Sequence, residues 1–85
     1  MIYGAGAQKL NKYGLLEMKE VSFALNPTGL KMVAQFFQTI ANEMEAGQAE
    51  PGWHRHIETY SKGWRRAYPG LDIVVLAPAE KTLME

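Results

Sequence analysis

The chain has 85 residues, of which 47% are hydrophobic, and its nine acidic and nine basic side chains give a formal net charge of zero. This length and composition predict one globular domain over residues 1–85 and exclude a chain that is disordered as a whole. Neutral charge and the absence of cysteine also exclude a general DNA-coating protein, a disulfide framework and a thiolate metal site.

The first 25 residues predict two strands of unequal quality. Residues 1–14 are glycine-rich and end in residues with turn chemistry, so they predict a weak strand or a loop. Residues 15–25 predict a stronger strand, because apolar and polar side chains alternate along most of their length.

Two apolar pairs in the stronger strand have opposite parity, because Leu16 and Met18 are even-numbered whereas Val21 and Phe23 are odd-numbered. Both pairs can share one face of a sheet only if the strand accommodates an extra residue between them. The pattern therefore predicts a β-bulge or a strand break near residues 19–20.

Asn26 and Pro27 predict the start of a long helix, since asparagine can cap free amides and proline is tolerated in the first turn. The helix is expected to run to about Ala46, with Gly47 as the residue that ends it. Its core-facing stripe is predicted from apolar residues at helical spacing, which are Leu30, Val33, Phe37, Ile40 and Met44, widened by Phe36 and Ala41.

Residues 53–68 bring aromatic and basic side chains together without a clean period. The start of this segment alternates like a short strand, whereas its second half has the spacing of a helical turn. After a Pro-Gly turn, the run IVVL within residues 72–77 predicts a strand buried on both faces or at the middle of a small sheet. Residues 78–85 are expected to be a flexible tail.

Together these elements predict an α+β protein with the order strand, strand, helix, short helix or loop, strand. The expected architecture is a two-layer sandwich in which one amphipathic helix packs on a small, mainly antiparallel sheet. Such a sheet has two open edges, so a homodimer formed through a sheet edge is a further hypothesis.

His54 and His56 are the first candidates for chemistry, because alternate residues of a strand place both imidazoles on one face. A zinc site would need further ligands, and only Glu58 lies in register nearby. A structural or recognition role is favoured over a metal site, and neither a metal nor another cofactor is predicted. No nucleophile, base and orienting group occur in one neighbourhood, so an enzyme is not expected.

The aromatic and basic segment is instead typical of a binding surface, because Trp, Tyr and Arg dominate protein-binding hot spots. The candidate partner-binding residues are Trp53, His54, Arg55, His56, Trp64, Arg65 and Arg66, with Glu43 and Glu45 as an alternative acidic patch. One or both tryptophans could instead close the core. Binding of single-stranded nucleic acid by the same segment is the second-ranked function, since bases can stack on exposed rings.

The chain contains, in order, LLEMKEVSFALNPTGLKMVAQFFQTIANEME, GWHRHIETYSKGW and LDIVVLAP. In this succession, over residues 15–78, it resembles a family of small immunity proteins of bacterial polymorphic toxin systems, immunity protein 32. The resemblance implies a non-enzymatic cytoplasmic protein that binds and blocks a cognate protein toxin. It marks His54, His56, Trp64 and Asp72 as landmarks of the family without assigning them to the toxin contact or to the fold.

A cytoplasmic protein that does not enter the membrane is also expected from the residues themselves. No run of about 18 apolar residues occurs, and the N-terminal sequence lacks the basic leader and apolar stretch of a signal peptide.

Overall fold

The computed structural model describes residues 1–10 and 15–77, and the side chains of all of these except residues 7–10. It confirms the α+β class and the antiparallel strands. The elements in chain order are β1 (Ile2–Leu10), β2 (Leu16–Phe23), α1 (Pro27–Glu45), β3 (His54–His56), α2 (Ile57–Tyr60), α3 (Trp64–Ala67) and β4 (Val74–Leu76). The predicted tail, residues 78–85, lies outside the described residues.

The boundaries of α1 agree with the sequence prediction because both ends are determined locally. The side chain of Asn26 accepts a hydrogen bond of 2.8 Å from the backbone N–H of Gly29, and Pro27 occupies the first turn. At the other end, the N–H of Ala46 donates to the carbonyl of Asn42 at 3.1 Å. Gly47 follows with φ of 83°, a left-handed conformation that glycine adopts without strain.

The core lies between α1 and the segment that follows it. Its buried residues are Val33, Phe36 and Ile40 from the helix, and Trp53, Ile57 and Trp64 from the second half of the chain. The predicted helix stripe is wrong at three positions, because Leu30 and Phe37 are 46% and 43% exposed and Ala41 is exposed as well. Each lies one residue beyond a buried position and is therefore rotated by about 100° around the helix axis.

The strands form two separate two-stranded sheets. In the smaller one, β3 and β4 pair antiparallel, with His54 opposite Leu76 and His56 opposite Val74. The prediction that the last strand is buried on both faces or central in its sheet is wrong. Val75 packs against the core, but Val74 and Leu76 are 41% and 44% exposed because the helix covers only one side of this sheet.

The larger sheet is the antiparallel hairpin of β1 and β2. The predicted bulge is confirmed, because Ala5 pairs with Glu20 and the next residue, Gly6, pairs with Met18, which leaves Lys19 as the extra residue. The weak first strand is nine residues long, whereas the predicted turn at residues 11–14 lies outside the described residues.

Every residue of β2 is exposed. Helix α1 therefore does not cover both sheets as the single predicted sandwich requires. The helix and the small sheet share the buried core, and the hairpin lies outside it.

Candidate protein-binding surface

The outer side of the small sheet carries two imidazoles and two aliphatic side chains. Directly opposed residues of antiparallel strands project to the same face, so His54 and Leu76 lie beside His56 and Val74. Asp72 lies just before β4 and contacts His56. We call this set, which is His54, His56, Asp72, Val74 and Leu76, the histidine face.

The imidazole of His56 is held by a carboxylate. Its Nδ1 lies 2.7 Å from Oδ2 of Asp72, a short distance typical of a charge-assisted hydrogen bond. The ring of His54 stands nearly perpendicular to that of His56, with 5.4 Å between the ring centroids. Its own Nδ1 lies 3.1 Å from the carbonyl oxygen of Gly52. Both rings are therefore oriented through Nδ1, which leaves Nε2 as the atom available to a partner.

A bidentate ion pair borders this face. The Nε and Nη2 atoms of Arg65 donate to the two carboxylate oxygens of Glu58 at 2.9 and 3.0 Å. These hydrogen bonds lower the pKa of Glu58, against smaller opposing effects of desolvation and of the nearby Asp72 carboxylate. The same contact raises the pKa of Arg65. The pair fixes two charged side chains that are exposed to solvent.

Arg55 points to the other side of β3, towards the helix. Its Nε lies 3.3 Å from a carboxylate oxygen of Glu43, and its guanidinium lies 4.6 Å from the centre of the Trp53 ring. The Glu43 carboxylate also accepts from the hydroxyl of Tyr60. Glu43 is thus half-buried and already paired, and of the alternative acidic patch only Glu45 is exposed.

The two tryptophans belong to the core. Trp53 is 9% and Trp64 is 1% exposed, so the expectation that their rings form an exposed binding surface is wrong. The indole N–H of Trp64 donates to the carbonyl of Leu71 at 2.8 Å, which ties α3 to the chain before β4. The indole nitrogen of Trp53 is buried without a hydrogen-bond partner. A core this small needs their large apolar area.

The burial of these rings also bears on the nucleic-acid alternative. The ring of Tyr68 packs at a tilt against Trp64 with 4.5 Å between the centroids, and the ring of Tyr60 packs against Phe36 with 5.6 Å between the centroids. The aromatic groups that were predicted to stack on bases are thus largely engaged inside the protein. The basic side chains remain outside, and in the described part of the chain neither Lys62 nor Arg66 forms an ion pair.

Asp72, Val74 and Leu76 escape the sequence-based list of binding residues although they lie beside the predicted histidines. The sequence carries no signal for Val74 and Leu76, because residues 73–77 are continuously apolar, and exposed and half-buried side chains alternate over residues 72–77 only in the structure.

Within residues 1–10 and 15–77, no group of three His, Cys, Asp or Glu side chains is placed to hold a metal ion. Over the same residues, no helix combines the length and the apolar character needed to cross a membrane.

Comparison with known proteins gives no match among family models, curated proteins or solved structures. The likeness to immunity protein 32 therefore stays a prediction from the sequence.

Proposed function

We propose that this protein is a non-enzymatic binding protein that inhibits another protein by covering part of its surface. The contact is centred on the histidine face, with Arg65 and Arg66 beside it. In the form that the sequence resemblance implies, the partner is a toxin of a bacterial polymorphic toxin system. The inhibitor then protects the producing cell from within the cytoplasm.

The observation that carries this proposal is the exposure of Val74 and Leu76 between ordered polar groups. Protein interfaces combine an apolar centre with a polar rim, and the two aliphatic side chains supply such a centre. The rim is held in place before binding, because Asp72 orients His56 and Glu58 holds Arg65. Groups that are already ordered lose less conformational entropy when a partner binds.

Unpaired basic side chains next to Arg65 favour a partner with an acidic surface. Arg65 is neutralised by Glu58, but Lys62 and Arg66 are exposed and form no ion pair in the described part of the chain. Unpaired charges at the rim of an interface mainly accelerate association with a surface of opposite sign.

A growth assay tests the proposal. Where a neighbouring gene encodes a large secreted protein with a toxic C-terminal domain, the chain is co-expressed with that domain. Wild type is expected to restore growth. His54→Glu combined with Leu76→Glu is expected to abolish the rescue, because it places two charges at the centre of the contact.

Lys31→Glu is the matched control, since it alters an exposed charge on the helix and is expected to leave the rescue unchanged. Circular dichroism of each variant checks that the fold is retained. Full rescue by the folded double variant would contradict a contact at the histidine face. Tight binding of a single-stranded oligonucleotide that salt weakens steeply would instead support the nucleic-acid alternative.

A further inference from the structure

A second surface of the molecule is apolar, exposed and separate from the histidine face. It is one side of the β1–β2 hairpin. The strand register and the bulge place five apolar side chains on this side of the sheet. We call them the hairpin face, and they are Ile2, Leu16, Met18, Val21 and Phe23.

Direct pairing places Phe23 beside Ile2, and Val21 beside Gly4. The side chain of Met18 also reaches this face, since a Cβ built on Gly4 would lie 2.8 Å from its Cε. Leu16 similarly covers Gly6. The bulge at Lys19 thus unites two apolar pairs of opposite parity, and the glycines let their side chains lie flat across β1.

Within residues 1–10 and 15–77, no other part of the chain covers this face. Leu16, Met18, Val21 and Phe23 are between 39% and 50% exposed. A two-stranded hairpin is at best marginally stable without a packed face. The hairpin therefore needs a covering layer beyond the part of the chain that the structure describes.

Helix α1 carries a second uncovered apolar strip on the same chain. Leu30, Ala34, Phe37 and Ala41 follow the spacing of one helix face, and all four are exposed. We call these four residues the helix stripe. An apolar helix stripe on an apolar sheet face is the packing that forms a two-layer α+β structure.

We propose that the hairpin face binds the helix stripe of a second copy of this chain. Each copy has one of each surface, so a two-fold axis satisfies both at once in a closed dimer. Among the residues that the structure describes, both surfaces are left open within one copy. This dimer uses the faces of the elements, unlike the sheet-edge dimer that was hypothesised from the sequence, and it leaves the histidine face free for a partner.

The exposed area is sufficient for such a dimer. Their exposed fractions correspond to roughly 400 Å² for the hairpin face and roughly 300 Å² for the helix stripe, so a reciprocal exchange that covered both completely would bury about 1,400 Å², within the range of about 1,200 to 2,000 Å² of stable interfaces. A dimer in which two hairpin faces meet, or two helix stripes meet, would bury an area below the lower end of this range.

Two single variants test the exchange by sedimentation equilibrium over a dilution series. Val21→Glu charges the hairpin face and Phe37→Glu charges the helix stripe. Wild type is expected to be a dimer, and each variant is expected to weaken dimerisation by about a hundredfold or more, because a carboxylate enters an apolar contact. Leu76→Glu is the control, and it is expected to dimerise as wild type does, whether or not the histidine face binds a partner.

Mixing the two variants gives a sharper result. In a mixed dimer, the intact hairpin of Phe37→Glu meets the intact helix stripe of Val21→Glu, so one of the two contacts is restored. The mixture is therefore expected to dimerise more tightly than either variant alone. Circular dichroism confirms that both variants are folded.

Several outcomes would overturn this dimer. A monomeric wild type at the highest concentrations would exclude it. Dimers of Phe37→Glu as tight as those of wild type would exclude the helix stripe and indicate pairing of hairpins with each other. Equal dissociation constants for the mixture and the single variants would exclude reciprocal exchange.

Discussion

The hydroxyl oxygen of Tyr60 lies 3.0 and 2.8 Å from the two carboxylate oxygens of Glu43. This contact joins α2 to α1, and Arg55 reaches the same carboxylate from β3. Three elements thus meet at one charged group, at the edge of the core that supports the histidine face.

Removal of the Tyr60 hydroxyl is expected to destabilise the protein modestly. Tyr60→Phe should lower the free energy of unfolding by about 1 to 2 kcal/mol, since Glu43 loses one hydrogen bond but keeps Arg55. Urea denaturation measures the change. Tyr3→Phe is the matched control, because Tyr3 is 59% exposed and its variant should be as stable as wild type.

The same contact predicts an alkaline dependence of stability. Desolvation, followed by the hydrogen bond to Glu43, raises the pKa of Tyr60 above the ordinary value of 10.0. Because the folded-state pKa exceeds the unfolded one, the stabilisation is fully present below pH 10.0 and is lost as pH rises through the folded-state pKa.

Absorbance titration of the phenolates checks this pH dependence. Tyr60→Phe should remove a titration step that lies above pH 10.0. Its stability difference from wild type should shrink as the pH is raised beyond that point. A constant difference across the alkaline range would contradict the raised pKa.

Two neighbouring phenylalanines of α1 are expected to respond very differently to truncation. Phe36 is 1% exposed and Phe37 is 43% exposed. Phe36→Ala should cost about 3 to 5 kcal/mol, because it opens a cavity in the core, whereas Phe37→Ala should cost less than about 1 kcal/mol. Both are measured by urea denaturation in the Val21→Glu background, which weakens the proposed self-association. Equal losses would contradict the orientation of the helix.

Local signals explain which parts of the fold are predictable from the sequence. Asn26 determines the start of α1 by accepting a hydrogen bond from the N–H of Gly29, and Gly47 determines its end through a left-handed backbone conformation. The bulge at Lys19 follows from the parity of apolar residues within one strand. The alternation of His54 and His56 similarly predicts β3.

Burial depends on contacts between distant segments, and there prediction from the sequence is incomplete. Helix α1 has more apolar residues than one stripe can bury, so the choice of Phe36 over Phe37 depends on where Trp53 and Trp64 pack. The exposed hairpin is equally non-local, because the alternating pattern of β2 indicates an apolar face without indicating which element covers it. The candidate site is therefore predictable at its histidines but not at its tryptophans.

The ion pair beside the histidine face predicts how one carboxylate titrates. Glu58 accepts two hydrogen bonds from Arg65, which lower its pKa below the ordinary value of 4.5. A lowered folded-state pKa means that the pair stabilises the fold above pH 4.5, and this stabilisation is lost as pH falls through the folded-state pKa.

Carboxyl carbon shifts in an NMR titration should therefore place the midpoint of Glu58 below 4.5. Arg65→Ala should raise that midpoint towards 4.5, because it removes the hydrogen bonds that are the first cause of the shift. Arg66→Ala is the control, since it alters an adjacent exposed arginine for which no ion pair is described. It should leave the midpoint of Glu58 unchanged. An unchanged midpoint in Arg65→Ala would mean that the rim of the histidine face is not ordered before a partner binds.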